Sequence, residues 1–596
     1  MKKTKFVSGL LSAVLVLSAF AVPAAAADVT QTNYGGTATV SYTNDSMWTA
    51  TIPTYVAPVE AGQQDVSAYE VAVKDVIIGD NQQLAATIEY SGYVTETNGV
   101  KIPYQLYDSN GEEIQSGDTI LSKSAGEPNT EAAITFGAAL TDSPKYAGVY
   151  TDTATFAFTA KDKVYTLDEI NADEHLFAIG ETNPEFVVAK FNDDYSEVVI
   201  FKNGENSDGR MKMFAAQTSP MSSKAATLTQ ANIQTGVVSI GDFAFNGCTK
   251  LKNVNIADSV TSIYQAAFRK CSALTEINLP ANVLFLEVMT EGYDVFSECS
   301  ALTTINVSPD SQTFSSEDGV LFTKDKTVLR YCPEGKTGTY TIPNSVQEVY
   351  LLAFYDTRLE SIVIPDSVNK IGNSALKKCR YLKTIEIGAG VTDLGANAFQ
   401  STSSLKAINV SSENQTFSSA DGVLFNEDQT SLIKYPDAAD RTSYTMPNTV
   451  IKLEQNSFKL LNCQLKSITI SSALSDFDGA LFSKLSNLQS VFVSENNQSF
   501  KSEDGVLFNK NKTELVYYPI DKEATKYIVP DSVTTIKASA FSFPNSYTGP
   551  NEVEIPTSVK TIEANNRFKS KCTIYGGSGS YAETWAAENG YSFIAQ

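Results

Sequence analysis

One leucine-centred pattern recurs along the second half of this chain, and it leaves few folds open. The pattern is Leu-x-x-Ile-x-Ile with conservative exchanges, anchored at Leu251, Leu274, Leu302, Leu359, Leu382, Leu405, Leu465 and Leu488. Ahead of it stands Ile-Gly-x-x-Ala-Phe-x-x-Cys, which in the first copy reads Ile240-Gly241-Asp242-Phe243-Ala244-Phe245-Asn246-Gly247-Cys248. Phe268, Cys271, Leu274, Ile277 and Leu279-Pro280 follow 23 residues later. A unit this short cannot bury its apolar face alone. It becomes stable only when neighbours stack around a shared core.

Each unit has a physical reading. In Leu274-Thr275-Glu276-Ile277-Asn278-Leu279 the apolar residues face inward, while Thr275, Glu276 and Asn278 face out. Equivalent strands are expected to stack about 4.8 Å apart as a parallel sheet. Ala267-Phe268-Arg269-Lys270-Cys271 suits a single helical turn whose Phe and Cys plug the interior, and Pro280 ends the strand. Cys248, Cys271, Cys299 and Cys379 share one repeat position, Cys463 lies near its equivalent, and Cys332 and Cys572 stand outside that column. Seven cysteines cannot close into a full disulfide set. No CxxC pair suggests zinc or redox chemistry, so the thiols read as compact buried hydrophobes.

A longer module is threaded through the array three times, over 306–346, 409–450 and 492–533. Each copy carries Phe-x-Ser-x-Asp-Gly-Val-Leu-Phe, at Phe314 to Phe322, Phe417 to Phe425 and Phe500 to Phe508. A polar turn and a return strand such as Val328-Leu329-Arg330-Tyr331 follow, and the copies close on pieces like Tyr340-Thr341-Ile342-Pro343 that resemble repeat strands. The expectation is a β-hairpin that leaves and rejoins the stack. Asp318 and Asp421 are 103 residues apart and Asp421 and Asp504 are 83 apart, so the spacings differ by about one repeat.

The period and the LxxLxL core are those of leucine-rich repeats. The Ile-Gly-x-x-Ala-Phe-x-x-Cys-x-x-Leu signature, the Ser-Ser-Glu-Asp-Gly-Val-Leu-Phe hairpin and the Ile-Pro-Asp-Ser-Val strand ends resemble BspA-like leucine-rich repeat proteins, over about residues 185 to 596. The stretch Thr573 to Tyr591 is similar to the usual ending of that family and implies a short helix and a final strand as a cap. The resemblance also implies a place on or outside a bacterial cell and, for some members, adhesion to host matrix proteins or other cells.

The remainder reads differently. Met1 to Lys5 is basic, Phe6 to Val22 is mostly apolar, and Pro23 precedes Ala24-Ala25-Ala26-Ala27. This is the order of a cleavable secretion signal over 1–27. The C-terminus has no apolar tail and no LPxTG-type sorting sequence, so the mature chain is expected to be released or held by non-covalent contacts. Residues 28–160 alternate with period two between turn residues such as Asn98-Gly99 and Ser109-Asn110-Gly111, which predicts a β-sandwich. From Val71 to Phe158 it looks like the Ig-like domains of Gram-positive surface proteins. Lys74 would be the candidate for an isopeptide crosslink, although an exposed lysine on a strand is the better explanation of it. Residues 161–235 form a linker and N-terminal cap, with a short helix over Leu167 to Ile179 and two strands at Phe186 to Phe191 and Val198 to Phe201. Repeats occupy 236–570 and a C-terminal cap 571–596. The fold class is thus mainly β, a sandwich followed by a leucine-rich-repeat solenoid with three inserted hairpins.

Charge and composition remove whole classes of function. A net charge of −23 argues against nucleic acid, where neutralised phosphates supply most of the affinity, and against docking on anionic membrane. After removal of the signal no membrane insertion is expected. The single histidine, His175, follows Asp173 and Glu174 and reads as a solvated residue; it leaves histidine-based triads and multi-histidine metal sites one place to start. Acid pairs at Glu317-Asp318 and Glu503-Asp504 could serve a glycosidase. The middle copy has Ala420-Asp421 instead, and the Asp-Gly step is turn chemistry. Neither Asn192-Asp193-Asp194 nor Glu317-Asp318 has calcium-loop spacing, so no metal and no cofactor are expected. Only Trp48 and Trp585 are present, although 28 tyrosines could substitute in a sugar platform.

What remains is a binding surface. The outward strand positions form a ladder of Lys252, Asn253 and Asn255, then Thr275, Glu276 and Asn278, then Thr303, Thr304 and Asn306. Further rungs carry Glu360, Ser361 and Val363; Lys383, Thr384 and Glu386; Lys406 and Asn409; Lys466, Ser467 and Thr469; and Gln489, Ser490 and Phe492. Such a face suits an extracellular protein or glycan, host matrix included, bound by a monomeric, non-enzymatic protein. A merely solvated face, or a spacer whose sandwich holds the cell wall, explains the same residues.

Overall fold

The computed structural model describes residues 163–287, 292–458, 463–542, 549–569 and 571–596, with strand backbones and some side chains between 65 and 162 in addition. The chain divides into two compact units, Met1–Glu169 with Asn203–Asn206, and Ile170–Lys202 with Ser207–Gln596. No side chain of residues 1–70 is described, and of the expected leader of 1–27 only the strand backbones Leu11–Val14 and Phe20–Val22 are; the side chain of Lys74 also lies outside the described residues.

In the first unit the strands pair antiparallel. Gln82–Glu89 lies between Thr155–Asp162 and Thr119–Ser124. Ala132–Leu140 lies between Lys101–Asp108 and Asp65–Ile77. Ile102, Tyr104 and Leu106 alternate inward along one strand and are 4% exposed, and Leu84, Ile88 and Phe156 are buried with them. The turns that join Lys101–Asp108 to its hairpin partners Tyr93–Glu96 and Glu113–Ile114 contain Gly99 and Gly111, both at positive φ.

The second unit opens with an antiparallel group, Leu176–Ala178, Val187–Phe191 and Glu197–Lys202. The helix expected over Leu167 to Ile179 ends at Ala172, and Asp173 caps the turn that follows by accepting from the His175 N–H at 2.9 Å. From Glu197–Lys202 the pairing becomes parallel, first with Gln230–Ile233 and then with Asn253–Ile256. Most later coils among the described residues repeat one cross-section with three sides, the coil at Gly479–Phe482 being an exception with a short 3-10 helix. A four-residue strand such as Thr384–Ile387 forms the first side. A two-residue strand such as Lys370–Ile371 forms the second, and its neighbours in register are Glu348–Val349 and Asp393–Leu394. A turn closes the third.

The inward residues form dry core clusters that follow one another along the stack and change over within each insert. Leu251, Leu274, Leu302, Leu359, Leu382, Leu405 and Leu488 are fully buried and Leu465 nearly so. Burial of each such side chain stabilises the fold by about 1.5–3 kcal/mol before chain entropy is set against it. Phenylalanines stack from coil to coil beside them, with Phe245 and Phe268 ring centroids 5.2 Å apart and Phe268 and Phe296 6.0 Å apart.

The third side differs from the expected single helical turn. Ala266 and Lys270 take φ of 52° and 63°, and the same two positions are left-handed at Ser374 and Lys378 and again at Asn397 and Ser401. Alternate N–H groups then point along the stack instead of back into their own turn. Ala266, Phe268 and Lys270 donate to the carbonyls of Tyr293, Val295 and Ser297 in the next coil at 2.9 Å. A helix would spend those donors internally, so the turns form a third ladder of their own. Gly372 is required where the turn meets its neighbour, because a Cβ there would lie 2.5 Å from the Leu351 nitrogen.

The cysteines serve this ladder. Cys271 donates its S–H to the Phe245 carbonyl at 3.3 Å, Cys299 to Phe268 at 3.0 Å and Cys379 to Phe354 at 2.9 Å. All seven cysteines are free and buried, Cys332 and Cys572 included.

Each insert is an antiparallel hairpin, Phe314–Glu317 with Val320–Thr323, whose return strand Val328–Tyr331 runs parallel to the two-residue strand Glu348–Val349. The hairpin therefore rejoins the stack through the second side. At the chain's end Tyr581–Glu588 is a helix capped by Ser580, and Ser592–Ala595 adds a final parallel strand beside Thr573–Gly576.

Candidate functional site: the exposed strand ladder

The outward residues of the four-residue strands stand where their alternation puts them. Lys252, Asn253, Asn255, Thr275, Glu276, Asn278, Thr303, Asn306, Glu360, Lys383, Glu386, Lys406, Asn409, Lys466 and Phe492 are exposed. Thr304, Thr384, Thr469 and Gln489 are half-buried. Strand register joins them into two rows. In the second row Asn232 faces Asn255, and Asn278 faces Asn306, so asparagine fills it at the N-terminal end.

Neighbouring rungs hold one another. Asn306 donates from Nδ2 to Asn278 Oδ1 at 3.0 Å, and Asn409 from Nδ2 to Glu386 Oε1 at 2.8 Å. Lys383 pairs with Glu360 at 2.7 Å, Lys406 with Asp440 at 2.7 Å, and Ser361 bonds Thr384 at 2.9 Å. Exposed pairs of this kind contribute only about 0–1 kcal/mol each. Their effect is to fix side-chain directions, so a ligand meets a surface whose rotamers are already chosen.

The ladder is interrupted rather than continuous. At the end of each run the Asp-Gly turn of a hairpin folds over the last strand, and the glycine carbonyl accepts the strand's central N–H. The bonds are Ile305 to Gly319 at 2.9 Å, Ile408 to Gly422 at 2.9 Å and Val491 to Gly505 at 2.8 Å. Asp318, Asp421 and Asp504 adopt φ near 50° and the glycines φ of 73° to 76°, the left-handed pair of a two-residue hairpin turn. The next run then begins with Thr337–Thr341, Ser443–Thr445 or Lys526–Ile528. These rungs are missing from the residues picked out above, although the closing Tyr-Thr-Ile-Pro pieces of the inserts mark them.

The third interruption makes a hollow. Phe492, 48% exposed, borders a depression of about 500 Å³ together with Lys501, Asp504 and Lys510 of the hairpin. Beyond it the second row runs Ile528, Glu554, Tyr575 and Ile594 in register, with Ile528 and Ile594 58% and 47% exposed.

The acids weighed as catalytic are engaged elsewhere. Glu317 pairs with Lys326 at 2.5 Å and Asp318 with Lys336 at 3.0 Å; Glu503 pairs with Lys512 and Asp504 with Lys522 in the same way. These pairs tie the first and third hairpins to themselves and to the segment that leads into the following strand, while in the middle hairpin Arg441 donates to the Asp421 carbonyl instead. Asp194 accepts the Ser196 N–H at 3.0 Å within its turn. His175 is half-buried rather than fully solvated, with its ring stacked on Tyr195 at 4.9 Å, and the Lys224 ammonium lies over the same tyrosine. Among the described residues no helix is long and apolar enough to cross a membrane.

The sequence matches the model of the BspA type leucine rich repeat region across 222–318, 334–426, 438–523 and 517–574. Among solved structures it is similar to a leucine rich cell surface protein from Faecalibacterium prausnitzii, at 28% identity over 45% of this chain and 60% of that one, with a TM-score of 0.31. The chain thus spans less than two thirds of that protein. A leucine-rich repeat protein from Eubacterium ventriosum is similar at 20% identity over 54% of this chain and 93% of that one, with a TM-score of 0.30. The pneumococcal vaccine antigen PcpA is similar at 17% identity over 69% of this chain and 97% of that one, with a TM-score of 0.31. No curated protein matches the chain.

Proposed function

The chain belongs to the BspA-type leucine-rich-repeat family, and from that premise we propose that it is a non-enzymatic binding protein of the bacterial exterior whose strand ladder recognises an extracellular protein. In this reading residues 1–27 direct export, 28–160 form an Ig-like sandwich, and the solenoid from 236 to its cap presents the binding face. Adhesion to host matrix or to other cells is the role such a face would serve.

The observation that supports it most is the hollow beside Phe492. It joins an exposed aromatic ring to lysine and aspartate side chains on a rigid scaffold, and an aromatic anchor within a polar rim is the usual make-up of an interface hot spot. Ile528 adds an exposed apolar side chain at the start of the following run. The rung-to-rung bonds hold the remainder of the face in place before a ligand arrives.

The test is binding of the full chain to immobilised fibronectin, fibrinogen, laminin and collagen by biolayer interferometry. Phe492→Asp combined with Ile528→Asp should weaken any saturable binding at least tenfold without changing the melting temperature. Binding that survives this double change unaltered would overturn the ladder as the site. Labelling of intact cells with an antibody to the solenoid checks the exterior location.

A further inference from the structure

The three inserts are not equivalent where their return strands enter the stack. They read Arg330-Tyr331-Cys332-Pro333-Glu334, Ile433-Lys434-Tyr435-Pro436-Asp437 and Val516-Tyr517-Tyr518-Pro519-Ile520. At this level an ordinary coil contributes a whole turn to the third side. An insert contributes one bonded residue instead: Cys332, Tyr435 or Tyr518 donates its N–H to the next coil's turn at 2.7, 2.9 and 2.9 Å. Space is left over. In the first and third inserts a tyrosine ring fills it, Tyr331 against Phe296 at 5.8 Å and Tyr517 against Phe482 at 5.7 Å, both buried.

The middle insert has Lys434 in that place. Its ammonium turns to Asp437, Nζ to Oδ1 at 2.5 Å, and both side chains are buried. Lys434 brings no ring to Phe399, and a recess of about 390 Å³ remains between the turn at 394–400 and the turn at 454–456. A second observation marks the same gap. Phe314 and Phe500 are 6% and 7% exposed, whereas their counterpart Phe417 is only half-buried, because it borders the recess. Asn456 donates from Nδ2 to Asn397 Oδ1 at 3.0 Å, joining the two lips.

The lining chooses the ligand. Asn397, Gln400, Gln455 and Asn456 supply four carboxamides, and Phe399 and Phe417 supply aromatic surface. A carboxamide donates and accepts at once, as a sugar hydroxyl does, and an aromatic ring packs against the C–H face of a pyranose. The charges present are internally matched, Lys434 by Asp437 and Glu454 by Lys452 at 2.8 Å, so nothing here selects an ion. The volume lies at the lower end of the range for small-ligand pockets.

We propose that this recess is a binding site for one or two neutral sugar units of an extracellular glycan. It lies on the turn side of the middle coils, apart from the strand ladder, and stands whether or not the ladder binds protein.

The experiment titrates the full chain with glucose, galactose, mannose and N-acetylglucosamine and their β-linked disaccharides, read by saturation-transfer NMR and calorimetry. At least one should saturate with a dissociation constant of about 1 mM or tighter. The double change Lys434→Tyr with Asp437→Ile installs the third insert's Tyr517 and Ile520 pair, which removes the recess and the buried charges together. It should abolish the binding while the melting temperature holds or rises. Asn397→Ala with Gln455→Ala leaves the recess open and should weaken binding at least fivefold, which decides the matter if the first variant fails to fold. Absence of any saturable sugar binding up to about 10 mM overturns the proposal. So does binding that both variants leave unchanged, or a recess that takes peptides and no sugar.

Discussion

At the residue scale the buried carboxyl of Glu334 gives the molecule a measurable pH dependence. Burial pushes its pKa from 4.5 up to about 8, with the neighbouring carboxylates Asp356, Glu298 and Asp294 adding to the effect and the hydrogen bond from the Glu298 N–H opposing it. The folded protein therefore holds a proton that the unfolded chain sheds once pH passes the ordinary carboxylate range. Stability contributed here is present below about pH 4.5 and is lost as pH rises toward about 8. Glu334→Gln should raise the unfolding free energy at pH 8 by a few kcal/mol, an order-of-magnitude figure, and change it little at pH 4.5. Urea melts at the two pH values check this; an equal effect at both would contradict it. The thiols make a second prediction. Burial pushes Cys379 up to about 12 and Cys463 and Cys572 up to about 11. Ellman's reagent should find no reactive thiol in the native protein and all seven after unfolding, since the thiolate is the nucleophile.

At the scale of elements the Asp-Gly turn binds hairpin to ladder. Gly422 sits at φ 76°, and a Cβ added there would lie 2.8 Å from the Ala407 side chain. Gly422→Ala should cost about 1–3 kcal/mol, because it combines left-handed strain with a clash against the edge strand. Asp421→Asn should stay within about 0.5 kcal/mol, since asparagine tolerates the left-handed region. Denaturant titration of both variants separates these outcomes. The elements also show what could be read from sequence. Strand alternation placed Ile277, Ile305 and their equivalents inside and the rung residues outside, because a period of two leaves no other choice once one face is dry. The turns read as helical in sequence because several of their left-handed positions are filled by residues such as Phe243, Ala266 and Lys270, and the glycine or asparagine signal appears only sporadically, as at Gly247 and Asn397. The breaks in the ladder depend on the bond from Ile305 to Gly319, a pairing between segments that spacing alone does not reveal. The recess at Lys434 was written in the sequence, as a lysine where the other two inserts have tyrosine, and aligning the inserts with one another exposes it.

At the scale of the whole solenoid, each coil touches only its neighbours, so stability is a sum of coil and interface contributions along one axis. Three ladders of backbone bonds and a succession of core clusters make those interfaces. The inserts face both ways: Leu321 and Tyr331 of the first insert pack with the coils before it, and Val320, Phe322 and Leu329 pack with the coils after it. Native-state hydrogen exchange on the full chain tests this most directly. Amides that bond from one coil to the next, among them Phe268, Phe354, Leu376, Tyr435 and Tyr518, should be protected as one connected block that runs through all three inserts. Protected islands separated by freely exchanging inserts would contradict a single stacked interior, and with it the face that the stack presents.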